Sequence, residues 1–150
     1  RWLKRCRLTT RLLIAVAFSL AVLALGWLAA TGSADKVLPE AWAVNFERAL
    51  GGTLAFNPGS LEDIVAGAGA LLGFSVGAVL LDAWGKFADG RGLWPRLARF
   101  FVGLAGVLAL QLGLTALLPD GQATRFARYA LLGFWISCGA PRTFVALGLA

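Results

Sequence analysis

Between Leu12 and Ala34 the chain carries no ionisable side chain, and this run constrains the fold more than any other feature. At 1.5 Å per helical residue, about 20 apolar positions cross a hydrocarbon layer roughly 30 Å thick. The segment LLIAVAFSLAVLALGWLAATG meets that length. Charges mark out three further segments. Ile64 to Leu81 lies between Asp63 and Asp82, and Phe100 to Leu118 follows Arg96 and Arg99 and stops at Pro119. Tyr129 to Ala150 contains Pro141 and Arg142, so it reads as a fourth span kinked near its end, or as a shorter helix with an interfacial tail. Composition agrees: 59% of residues are hydrophobic and 15% charged, where soluble domains have about 45–50% and 25%. The expected fold is an all-α integral membrane bundle of about four transmembrane helices plus a short interfacial amphipathic helix. Residues 1–31 form a basic flank and the first span, 32–63 an extracytoplasmic loop, and 64–150 a three-helix membrane module.

Orientation follows from lysine and arginine in short loops, which stay on the cytoplasmic side. The start holds Arg1, Lys4, Arg5, Arg7 and Arg11 with no acid, which places the N-terminus in the cytoplasm. The loop after the first span has Lys36 and Arg48 against five carboxylates and falls outside, whereas Lys86, Arg91, Arg96 and Arg99 bring the next loop inside. Arg125 and Arg128 then fall on the outer side. The net charge of +6 suits a face held against anionic lipid, and a prokaryotic inner membrane is the expected location. Arg96, Arg99, Arg125, Arg128 and Arg142 are the expected lipid headgroup contacts, Arg142 by snorkelling to the interface.

Within the outer loop, Trp42, Phe46 and Leu50 recur at helical spacing on one face, with Glu40, Glu47 and Arg48 elsewhere, which predicts a short amphipathic helix after Pro39. Gly51 and Gly52 should end it. FNPGS then makes a turn in which Ser60 caps the next helix and Asp63 completes a capping box. Glu62 and Asp63 are read as helix-start residues favoured by the dipole, not as catalytic carboxylates.

Gly69, Gly73 and Gly77 recur every fourth residue, so they line one side of a helix and let another backbone come close. Ala105, Ala109 and Gly113 repeat that spacing, and the two stripes are expected to pair. Gln111, Ser75, Thr115 and Ser137 are read as polar contacts between or within helices.

Reactive chemistry is scarce. The chain has no histidine, which removes a histidine-based triad and a phosphohistidine, and its two cysteines, Cys6 and Cys138, cannot build a four-thiolate site. Cys6 is a juxtamembrane lipidation candidate, Cys138 lies at membrane depth, and no disulfide between them is expected. The Asp89-Gly90-Arg91-Gly92 run lacks the Gly-Lys-Ser/Thr ending of a phosphate-binding loop. No basic stripe with interleaved aromatics points to nucleic acid. The reading is therefore one with no catalytic residue, metal or cofactor in this chain.

Three strings carry a family likeness: SLEDIVAGAGALLGFSVGAVLLDAW, PRLARFFVGLAGVLALQLGLTALLP and RYALLGFWISCGAPRTFVALGLA. Their order, with Glu-Asp before a glycine-rich helix and Arg-Tyr before Gly-x-Pro, resembles the C-terminal membrane region of some prokaryotic type 2 phosphatidic acid phosphatases, over roughly residues 60 to 150. The resemblance implies an integral membrane family that hydrolyses lipid phosphates or pyrophosphates through a phosphohistidine without metal. Its signatures, K-x6-R-P, P-S-G-H and S-R-x5-H-x3-D, are not in this chain. Asp63-Ile64-Val65-Ala66-Gly67 is similar to the D-V-L-A-G after the nucleophilic histidine, but Gly59 stands where that histidine would be. No catalytic residue is carried over. The chain opens on Arg1 and has no methionine, and sequence upstream is expected.

Two readings follow. The leading one is a non-catalytic C-terminal transmembrane module of a lipid-phosphate phosphatase, partnered by membrane lipids and by upstream catalytic helices of the same polypeptide. The alternative is a free-standing multi-span protein acting as scaffold, subunit or permease, with the glycine seams serving association between copies.

Overall fold

The computed structural model describes residues 7–33, 40–49, 61–84 and 92–149. They form α1 (Leu8–Ser33), α2 (Glu40–Ala49), α3 (Glu62–Trp84), α4 (Leu93–Leu117), α5 (Gln122–Phe134), a π-helical turn (Trp135–Gly139) and α6 (Ala140–Ala146). Among the described residues the fold is all-helical. Three helices, over Leu8–Gly32, Glu62–Trp84 and Leu93–Leu117, are long and apolar enough to cross a membrane. The expected amphipathic helix is present as α2, with Trp42 and Val44 exposed. The basic residues Arg1, Lys4 and Arg5, Cys6, the glycine stop at Gly51 and Gly52, the Ser60 cap and the Asp89-Gly90-Arg91 run lie outside the described residues.

The fourth segment differs from the expectation. It begins at Gln122, well before Tyr129, and remains helical through Pro141 to Ala146. Proline lacks an N–H, and its ring collides with the carbonyl four residues back, so an uninterrupted α-helix would kink there. The π turn just before it resolves this. The Ala140 N–H reaches back five residues to Trp135 O, and Pro141 falls in the first turn of α6, where its missing donor costs nothing. At 1.5 Å per residue the segment from Gln122 to Ala146 is roughly 37 Å long, enough for a crossing.

Contacts at the helix ends fix the topology. Arg11 near the start of α1 pairs with Asp82 near the end of α3 at 2.8 Å, and the Ser19 hydroxyl donates to Ala68 O at 2.7 Å, so α1 and α3 are antiparallel. Glu62 and Arg125, near the starts of α3 and α5, pair at 3.0 Å, so those two helices run parallel. The Trp135 indole N–H donates to Gly103 O at 3.1 Å and Arg99 Nε to Leu149 O at 2.7 Å, which sets α4 antiparallel to α5–α6. Helix α3 is the centre, packed mainly against α5 and then against α1.

Large and small residues sit the opposite way round from a soluble domain. The buried apolar positions are Ala15, Ala30, Val65, Ala68, Cys138 and Ala140, while Leu13, Leu25, Phe100, Phe101 and Leu112 are all more than half exposed. Water would not tolerate such a surface, but lipid tails do, and small interior residues let helix backbones approach where no hydrophobic force drives them together.

Candidate functional site

The tightest packing in the bundle is the α3–α5 seam. A Cβ placed on Gly69 would collide with Phe126 O and one on Gly73 with Ala130 O, and one on Gly77 would strike Ser137 Oγ and lie 3.1 Å from Cys138 Cβ. The seam is reciprocal, because a Cβ on Gly133 of α5 would collide with Ala70 O and come within 2.9 Å of Phe74 N on α3. This corrects the expected partner. The α3 glycines face α5 and the π turn instead of α4, where Ala105 and Ala109 are exposed and a Cβ on Gly113 would meet nothing within 4 Å.

Helix α4 is held by other residues. The Trp135 ring lies against Gly106, with its N–H on the Gly103 carbonyl, and Phe144 lies over Gly103. The wider π turn aims Trp135 toward α4 and at the same time turns Ser137 and Cys138 inward toward Gly77. Neither Gly106 nor Gly133 stands out in the sequence, because neither lies in a stripe of glycine and alanine at four-residue spacing. Ser19 was equally hidden: it is a single hydroxyl in a long apolar run, yet it is fully buried and tied to α3. The hydroxyls of Thr115 and Ser137 bond to carbonyls four residues back, at Gln111 and Gly133.

The five arginines read from the sequence as headgroup contacts lie on helices, not in loops. Arg96 is exposed in the first turn of α4, and Arg99, one turn on, holds the Leu149 carbonyl. Arg142 stacks over the Trp84 ring at 4.2 Å, at the same end of the bundle as Arg11 and Asp82. Because the fourth segment starts at Gln122, Arg142 falls in its final turns, toward the end of the bundle that holds Arg11 and Asp82. At the opposite end Arg125 pairs with Glu62, and the Nε of Arg128 is buried without a hydrogen-bond partner.

A groove of about 560 Å³ opens between α3, α4 and the fourth segment. Gly67 and Phe74 of α3, Val107 of α4, and Tyr129, Leu132 and Ile136 of the fourth segment line it. Its walls are apolar apart from the tyrosine hydroxyl. Among the described residues no group of three or more histidine, cysteine, aspartate or glutamate side chains is placed to hold a metal ion. Asp63 sits in the first turn of α3 beside Glu62, where carboxylates favour the helix dipole. What the arrangement offers chemically is an apolar cleft.

A family model described as PAP2 superfamily phosphatase, transmembrane extension, matches residues 65–150, which is the stretch that carries most of α3 and all of α4 to α6. No curated protein and no solved structure matches the chain.

Proposed function

Starting from the fact that this chain belongs to the PAP2 superfamily phosphatase transmembrane-extension family, we propose that it serves as a non-catalytic membrane module of a lipid-phosphate phosphatase. Hydrolysis of the phosphoric ester or pyrophosphate is then the work of sequence other than these 150 residues. The observation that carries this reading is the content of the matched helices. Their buried positions are filled by Val65, Ala68, Gly69, Gly73, Gly77, Gly133, Ser137, Cys138 and Ala140, none of which can act as a phosphohistidine or its orienting partner. A phosphoryl acceptor of that type needs an imidazole, and the sequence has none. The module's role is to pack a bundle in lipid, with the basic end of α1 and the start of α4 at the cytoplasmic face of a prokaryotic inner membrane.

The test is phosphate release from a lipid phosphate in detergent by the purified 150-residue chain. The reading predicts no turnover above a mock purification. Turnover that copurifies with the chain overturns it.

A further inference from the structure

We propose that α2 docks on the bilayer surface at the Glu62 end of the bundle, through the face that carries Trp42, and that apolar contact rather than attraction to anionic headgroups holds it there. The topology puts the helix beside lipid. Helices α1 and α3 are spans and run antiparallel, so Ser33 and Glu62 lie at one surface of the membrane. Only residues 34–39 separate α2 from α1, a tether that reaches at most about 25 Å when fully extended. Trp27, 53% exposed and within two turns of the end of α1, marks the same surface as interfacial tryptophans do.

The protein leaves this helix uncovered. Ala41, Trp42, Val44, Asn45, Arg48 and Ala49 are all exposed, and among the described residues no other helix packs substantially against α2. At 100° per residue Ala49 falls within about 20° of Trp42 around the helix, whereas Val44 lies on the opposite side. Trp42 and Ala49 therefore share the stripe that the sequence makes apolar. A second copy is a poor partner for it, because a ten-residue helix is about 15 Å long and about 10 Å wide, far short of the roughly 800 Å² that each side of a stable interface buries. A lipid surface needs no such area from a helix already tethered to it, and an amphipathic helix sinks its apolar face about 5–10 Å into the headgroup boundary. Charge adds no attraction to anionic lipid, since Glu40 and Glu47 outnumber Arg48. The contact stands whether or not the chain is catalytically empty.

The experiment is spin labelling of the full chain in lipid nanodiscs, where both membrane surfaces are open to solvent. Labels are placed by Ala49→Cys or Val44→Cys in a chain carrying Cys6→Ser and Cys138→Ala. Depth is read from the relative access of molecular oxygen, which concentrates in lipid, and of a water-soluble nickel chelate. The label at position 49 is expected about 5–10 Å deeper than the one at position 44, in phosphatidylcholine and equally in discs containing phosphatidylglycerol. Trp42→Ser should bring the label at 49 out into water, while Trp94→Ser, on a helix start at the other end of the bundle, should leave it in place. Equal exposure of the two labels to the chelate overturns the proposal, as does immersion that occurs only with phosphatidylglycerol or survives Trp42→Ser. A label at 49 shielded from both reagents is packed against protein, and spin–spin broadening identifies that protein as a second copy. Either result also overturns it.

Discussion

Replacing Gly73 by alanine adds a single methyl group at the closest point of the bundle. That methyl would lie 2.6 Å from the Ala130 carbonyl carbon and 2.8 Å from Phe134 N, besides colliding with Ala130 O. All three are backbone atoms, so no rotamer change relieves the contact. Carbon atoms rest at about 3.5–4.0 Å, and α3 and α5 must therefore separate locally by about 1 Å. A gap of that size forfeits roughly a quarter to a half of each dispersion contact along the seam. Overpacking of this kind costs about 1–3 kcal/mol, and the helix propensity gained on going from glycine to alanine, about 0.5–1 kcal/mol, offsets only part of it. The matched control is Gly67→Ala on the same helix, where the new methyl meets nothing within 4 Å and only the propensity gain remains. Reversible unfolding in mixed micelles, followed by tryptophan fluorescence, should show Gly73→Ala less stable than the unaltered chain and Gly67→Ala equal or more stable. If the two substitutions shift stability alike, the parallel α3–α5 seam is not what holds the bundle together.

Two other contacts make separate predictions. Trp135→Phe removes the indole N–H from Gly103 O, a side-chain hydrogen bond from the π turn to α4, and should cost about 0.6–1.7 kcal/mol in the same unfolding assay. Across the α1–α3 contact, a double-mutant cycle on Arg11→Gln and Asp82→Asn should give a coupling of about 0.2–1 kcal/mol that shrinks as salt is raised, since the pair sits at an end of the bundle with the Asp82 side chain 43% exposed.

The spans were legible because charge is expensive in lipid, so the absence of ionisable residues outlines α1, α3 and α4 directly. The same criterion misplaced the arginines. Bounding the spans by charge leaves Arg96 and Arg99 ahead of Phe100 and Arg125 and Arg128 ahead of Tyr129, but long side chains snorkel, and helices extend through them. Partner choice was not legible either. A small residue at every fourth position states that a backbone will come close but not which one, and the stripes on α3 and α4 match as well on paper as those on α3 and α5. The decision lies in the π turn ahead of Pro141, a backbone adjustment that brings Ser137 and Cys138 to Gly77 and turns Trp135 toward Gly106. A proline announces that a helix must adapt without saying how. The groove was hidden for a related reason, since it lies where α3 and α4 stand apart.

The central claim is that the segment after Pro119 crosses the bilayer as a fourth span, parallel to α3, so that the two ends of α5–α6 lie on opposite sides of the membrane. Labelling with a membrane-impermeant thiol reagent in sealed vesicles of uniform orientation tests this directly. Single cysteines would replace Asp120 and the exposed Leu147 in a chain carrying Cys6→Ser and Cys138→Ala. One site should react only from outside and the other only after the vesicles are opened. Reaction of both sites from the same side would contradict the four-span bundle and the α3–α5 seam built on it.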